Sequence, residues 1–255
     1  MDQRFEGKVV VITGGGAGIG RTYGHRFAAE GAAVVVADTD VSAGDRVVKE
    51  LGATGARAIA VEMDVTDEDA ADRMAAAAGQ FGGIDVLVNN AGVHLQHAQL
   101  PYTRDALPEW RRVIEVNVIG ALVCSIACRA AMAGRGGGAI VNHSSMAAYS
   151  GGGAYGVSKL ALNALTVSLA AEFAADGIRV NGIAPGLVDS EAAVEWMNDP
   201  ARVGIESALV GGQLVKRLGR MDDLADMALF LCSEQASFIT GQTILVDGGF
   251  TKKPF

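Results

Sequence analysis

A doubly wound α/β fold, a parallel sheet of about seven strands with helices on both faces, is the fold class the sequence predicts. Three observations predict it. Short β-rich runs alternate with helical stretches along all 255 residues. Several of those runs are continuously apolar, such as Val9-Val10-Val11-Ile12 and Val34-Val35-Val36, as strands covered on both faces must be. Unperiodic glycine clusters, Gly14-Gly15-Gly16, Gly136-Gly137-Gly138 and Gly151-Gly152-Gly153, read as tight turns between elements.

In chain order, strands are expected over 8–13, 33–38, 57–63, 85–89, 139–143, 179–184 and 243–246. Helices are expected over 18–30, 42–51, 67–80, 108–133, 154–175 and 222–232. Strand–helix alternation with right-handed crossovers gives one domain over 1–255. The segment 185–218 has no clear period, and a stretch that long in a compact domain predicts a lid, placed at 187–217.

Half the residues are hydrophobic and 20% are charged, enough for one sizeable core and too apolar for wholesale disorder. A net charge of −8 argues against nucleic acid or an anionic membrane as partner. Cys124, Cys128 and Cys232 form no CxxC pair and read as buried thiols. The polar start of the chain predicts no signal peptide, and no apolar run is expected to reach membrane-spanning length. A cytoplasmic protein is the expectation.

The first strand runs into Thr13-Gly14-Gly15-Gly16-Ala17-Gly18-Ile19-Gly20, which opens a helix. Glycines there let the backbone turn sharply and approach a pyrophosphate, which the N–H groups of the helix start then meet. Asp38 ends the second strand 18 residues after Gly20, where a carboxylate grips the ribose hydroxyls of a dinucleotide. No Lys or Arg stands at Gly15, Gly16 or Thr39 to offset its charge against a 2′-phosphate, so NAD is the expected cofactor.

At this point the sequence resembles the short-chain dehydrogenase/reductase family over nearly its whole length. The glycine pattern is met by Thr13, Gly14, Gly18 and Gly20, and an Asn-Asn-Ala-Gly string by Asn89-Asn90-Ala91-Gly92. Asn117, Ser145 and the Tyr-x-x-x-Lys pair Tyr155 and Lys159 match the catalytic set. Pro185-Gly186 and Thr240-Gly241-Gln242…Val246-Asp247-Gly248-Gly249 complete the pattern. The resemblance implies a Rossmann fold and hydride transfer between NAD and a secondary alcohol or ketone. It also implies that Lys159 holds the nicotinamide ribose, that Ser145 bonds the reacting oxygen and that Asn117 anchors a water in a proton relay. Asp64 and Val65 are implied to meet the adenine, and Val188 and Ser190 the nicotinamide amide.

The residues support that chemistry independently. Tyr155 and Lys159 lie four apart on a predicted helix and share a face. A free phenol near about 10 is a poor base at neutral pH, and a nearby ammonium and the oxidised nicotinamide ring both favour its phenolate. Competing structural readings make Ser145 a strand-end cap, Asn117 a helix-interior polar residue and Asp64 a helix cap. Ser145 and Tyr155 are only ten residues apart, shorter than in many members. That leaves Ser144 as a rival to Ser145. Tyr149 has Gly153, not a lysine, four residues on. His94 and His97 have metal-compatible spacing but no evident third ligand, so no metal is expected.

Two other functions compete with the dehydrogenase reading. A 3-oxoacyl thioester reductase wants NADP and a basic docking patch, which Asp38 and the net charge oppose. A silent NAD-binding protein has no need of Ser145, Tyr155 and Lys159. In the lid, Glu191, Glu195 and Asp199 precede the first cation, Arg202, while Trp196 and Met197 offer apolar surface. A neutral, largely apolar or cyclic substrate follows. The predicted helices over 108–133 and 154–175 are apolar nearly all round, which predicts a homo-oligomer, with the resemblance implying a tetramer.

Overall fold

The computed structural model describes residues 3–93 and 100–252. Its strands are β1 (Val9–Thr13), β2 (Ala33–Asp38), β3 (Ala58–Glu62), β4 (Val86–Asn89), β5 (Gly138–His143), β6 (Ile178–Pro185) and β7 (Thr243–Val246). They form one parallel sheet in the order β3-β2-β1-β4-β5-β6-β7. All seven expected strands are present, most within one residue of their predicted ends.

The continuous apolar runs are explained by two cores. Side chains alternate along each strand, so Val9, Val11, Val35, Leu87, Ile140 and Val180 face one side of the sheet. They pack there on Met74 of helix α3 (Glu68–Ala77), Cys124, Cys128 and Met132 of α5 (Gly120–Ala133), and Leu169 of α6 (Gly153–Glu172). Val10, Ile12, Val34, Val36, Val88 and Ile183 face the other side. Their partners are Tyr23 and Phe27 of α1 (Gly18–Ala29), Val47 and Leu51 of α2 (Val41–Ala53), and Leu224 and Leu229 of α9 (Met221–Cys232). Neither face of a central strand meets water, so no polar alternation is needed.

Three expectations are corrected. The single helix expected over 108–133 is α4 (Leu107–Ile114), a π-helical turn at Glu115–Ile119, and α5. Together, Arg104–Ala133 is long and apolar enough to cross a membrane by length and composition, contrary to the sequence reading. Its inner side is nevertheless part of the protein core, where Val113, Asn117, Cys124, Cys128 and Met132 are fully buried. The segment after β6 is also less irregular than expected. It holds α7 (Glu191–Met197) and α8 (Ile205–Gly212), and Val188 is bridged to Gly219. Helices of seven or eight residues leave little period to read.

The topology places a crevice between the carboxyl ends of β1 and β4, where the strand order reverses. The glycine turn follows β1, and Asn90-Ala91-Gly92 follows β4.

Candidate active site

The glycine turn is held by its neighbours rather than by its own side chains. Gly14 and Gly18 adopt φ of +63° and +51°, open to glycine and costly for other residues. A Cβ on Gly20 would lie 2.0 Å from the Gly14 carbonyl oxygen, so helix and turn meet backbone to backbone. The Asn90 side-chain amide donates to the Thr13 and Gly14 carbonyls at 3.1 and 3.0 Å. The buried Thr13 hydroxyl accepts the Asn90 and Ala91 N–H groups, each at 3.1 Å. No side chain caps α1 at Ala17, so the helix start is open to an anion. This cradle fits a dinucleotide pyrophosphate.

Asp38 ends β2, and its carboxylate accepts the Gly16 N–H at 2.8 Å and the Asp40 N–H at 3.0 Å. Asp64 folds back on itself, accepting from the Thr66 N–H and hydroxyl at 2.9 and 2.8 Å. Val65 is buried, close enough to α5 that a Cβ on Gly120 would lie 2.6 Å from its methyl. Two cations near the turn need separating. Arg21 is engaged by Glu50 at 2.7 Å. Arg46, which linear spacing did not suggest, reaches from α2 to the Gly16 carbonyl at 3.4 Å.

A cavity of about 460 Å³ continues from the turn along the strand ends. Gly14, Gly18, Ile19, Asn90, Ala91, Gly92, Ser145, Tyr155, Lys159, Pro185, Gly186, Val188 and Ser190 all line it. Gly20 and Asn117 support it from behind, while Asp38, Asp64 and Val65 lie outside its lining. Both members of the tyrosine–lysine pair are buried, at 7% and 3% exposure. Burial pushes the Tyr155 phenol up to about 12, while its hydrogen bond with Ser145 pulls it back. Burial lowers the Lys159 ammonium to about 8. That ammonium donates to the His143 carbonyl at 2.7 Å and lies 5.6 Å from the Tyr155 ring centre.

The two serines are distinguished by their partners. Ser144 is buried, with its hydroxyl turned to the Asn163 side-chain oxygen at 2.5 Å and the Lys159 carbonyl at 3.3 Å. Ser145 faces the cavity and bonds Tyr155. It also caps the short turn after it by accepting the Ala147 N–H at 3.1 Å, so the cap reading holds as well. Asn117 sits in the π turn. Its side-chain oxygen accepts the Val93 N–H at 2.8 Å, and its amide hydrogens go to the Val93 carbonyl and the Ser158 hydroxyl. One lone pair of the oxygen is left for a water. Gly92 has to be small, since a Cβ would stand 3.0 Å from that oxygen. Ser190 accepts the Ala193 N–H at 3.3 Å and caps α7.

Several features were not visible in the sequence. His143, itself only partly buried, pairs with the buried Tyr23, its Nδ1 3.1 Å from the Tyr23 hydroxyl. Trp196 and Met197, expected as substrate-facing surface, are not in the cavity lining, and Trp196 stacks on Arg202 at 4.8 Å. The apolar lining comes instead from Ile19, Met146, Leu187, Val188 and Ala193. His94 and His97 lie outside the described residues.

Comparison with known proteins agrees with this geometry. A family model described as Enoyl-(Acyl carrier protein) reductase matches residues 14–251. Cis-4-hydroxycyclohexanecarboxylate dehydrogenase of Sinomonas cyclohexanicum is 38% identical over 98% of this chain and 99% of its own. The chain belongs to the short-chain dehydrogenase/reductase family. Another member, galactitol 2-dehydrogenase (L-tagatose-forming) of Cereibacter sphaeroides, is 39% identical over 97% of this chain and 96% of its own. A solved 7α-hydroxysteroid dehydrogenase, in complex with NADH and 7-oxo glycochenodeoxycholic acid, superposes with a TM-score of 0.88 at 36% identity, covering 97% of this chain and 96% of that one. As a short-chain dehydrogenase/reductase, this protein is an oxidoreductase that moves hydride between a nicotinamide cofactor and a secondary alcohol or ketone.

The serine geometry makes a prediction. Ser145→Ala should lower kcat/KM by about a hundredfold, the usual loss for a donor at the reacting oxygen. Ser144→Ala should lower Tm, because the Asn163 side-chain oxygen loses its donor, with little change in kcat. Parallel kinetics and thermal melts check both, and equal kinetic losses would contradict the assignment.

Proposed function

We propose that the protein is an NAD-preferring alcohol dehydrogenase whose acid/base is Tyr155. The observation that carries this reading is the convergence of Ser145, Tyr155 and Lys159 on the cavity that the glycine turn opens. When bound, the cofactor supplies the carbon that takes or returns the hydride. Gly14, Gly18, Ile19 and Gly20 hold its pyrophosphate, Asp38 its adenosine ribose, and Asp64 and Val65 its adenine. Asn90, Ala91 and Gly92 form the floor, Pro185, Gly186, Val188 and Ser190 take the nicotinamide end, and Lys159 holds the adjoining ribose. Tyr155 receives the alcohol proton during oxidation and returns it during reduction. Ser145 donates to the same oxygen, and Asn117 holds loop and water behind Lys159. The segment 187–217 acts as a lid on a single domain.

The apolar lining favours a neutral, largely apolar or cyclic alcohol. The names of relatives, one acting on a hydroxycyclohexanecarboxylate and one bound to a steroid acid, support a ring substrate; both of those ligands carry a carboxylate, for which the described lining residues offer no cation apart from Lys159. The acyl-thioester alternative fits less well, because acidic carrier proteins want a basic face and this chain carries −8. We place the protein in the cytoplasm, where three thiols without a disulfide suit a reducing compartment. A homotetramer would cover an apolar face that a monomer leaves in water. Ile126 is 59% exposed on α5, and Val157, Leu160 and Val167 on α6 are 50%, 55% and 57% exposed.

Tyr155→Phe should reduce turnover at least about a hundredfold with NADH affinity nearly unchanged. Retention of more than about a tenth of activity would sink the acid/base assignment. Asp38 makes the cofactor preference testable. The unmodified enzyme should favour NAD over NADP about tenfold or more in kcat/KM, and Asp38→Ala with Thr39→Arg should move preference toward NADP. Equal use of both cofactors would count against Asp38 and implicate Arg46 as the offsetting cation. In sedimentation, the 26.2 kDa chain should run as a tetramer, and Leu160→Glu with Val167→Glu should yield smaller species. A stable, active wild-type monomer would refute the interface.

A further inference from the structure

We propose that Glu195 selects the charge of the substrate: it disfavours alcohols bearing an anion against neutral and cationic ones of the same size. The inference deepens the dehydrogenase reading above and rests on it. Glu191 and Glu195 both line the cavity that holds Tyr155 and Ser145. Glu191 begins α7 beside the glycine turn, its carboxylate 3.4 Å from where a Cβ on Gly18 would stand. Glu195 follows one helical turn later, its Cβ about 5–6 Å further along the same face. It lines the same cavity as Ser145 and Tyr155. Among the described residues, neither glutamate makes a hydrogen bond or salt bridge.

Arg21 acts on Glu191 while it is ion-paired with Glu50, and the cations of the lid are committed elsewhere. The lid has three, Arg202, Lys216 and Arg217. Arg202 pairs with Asp199 at 2.6 Å and stacks on Trp196. Lys216 donates to the Gly211 and Gln213 carbonyls. Arg217 pairs with Asp223 at 2.6 Å. None of the three lines the cavity, and Lys159 is the cation among its described lining residues. Lys159 is turned to the His143 carbonyl beneath Tyr155. A substrate carboxylate in the cavity would thus meet a carboxylate and, among the described residues, no cation other than Lys159. In a half-solvated site, one charge–charge contact of this kind is worth about tenfold in affinity.

The test uses 4-substituted cyclohexanones of matched size carrying a carboxylate, a carboxamide or a trimethylammonium group. Binding to the enzyme–NADH complex is followed by NADH fluorescence, and turnover of the matching cyclohexanols is followed separately. Wild type should bind the trimethylammonium ketone at least about tenfold more tightly than the carboxylate. Glu195→Gln should shrink that ratio about tenfold and Glu195→Lys should invert it, with carboxamide binding held nearly constant in all three. A ratio unmoved by both substitutions, or a wild-type preference for the carboxylate, would overturn the proposal. Because the ratio is read from binding, absent turnover would count against the dehydrogenase reading and leave the charge selection standing.

Discussion

The site depends on one constraint, that two ionisable side chains share a buried cavity wall. Desolvation disfavours the charged form of each, so it drives Tyr155 toward neutral phenol and Lys159 toward neutral amine. Their usefulness requires the opposite charges. Lys159 keeps most of its proton at pH 7 because its ammonium sits near 8 and donates to the His143 carbonyl. Tyr155 keeps a route to phenolate because Ser145 donates to it and a cation stands below its ring. The surroundings of the pair are built to meet these demands. The His143 carbonyl is available because β5 ends there, and Ser145 is the serine that bonds Tyr155, while the hydroxyl of Ser144 is tied to Asn163.

The rest of the fold works to hold that wall against the cofactor cradle. β1 and β4 stay paired to their last residues at the topological switch, and Asn90 and Thr13 stitch the segments after them together. The π turn in the helix over Arg104–Ala133 aims Asn117 at Val93, which fixes the loop behind Gly92. π turns of this kind are uncommon and cluster at functional sites.

How much of this was legible follows from what sequence periodicity can carry. Central strands covered on both faces write themselves as apolar runs, the partly exposed edge strands β3 and β7 still read as short runs rich in β-formers, and the four-residue spacing of Tyr155 and Lys159 put them on one helical face. A π turn does not change composition, so residues 115–119 read as ordinary helix. Ser144 and Ser145 are chemically identical and differ only in which way the strand end turns. Arg46 lies 30 residues beyond Gly16, and only the pairing of β1 with β2 brings α2 back to the turn. Trp196 looked like substrate surface because an aromatic near a cavity usually is; its stacking on Arg202 was invisible without coordinates.

The central claim is that a buried Tyr155 phenol becomes a usable base only with positive charge beside it. Ultraviolet difference titration of wild type against Tyr155→Phe isolates that single phenol, in free enzyme and in its NAD complex. Free enzyme should show no Tyr155 ionisation until the pH passes the ordinary tyrosine value of about 10. With NAD bound, the midpoint should fall below that value, and Lys159→Met should raise it again. An identical midpoint with and without NAD, or one unmoved by loss of Lys159, would contradict the account.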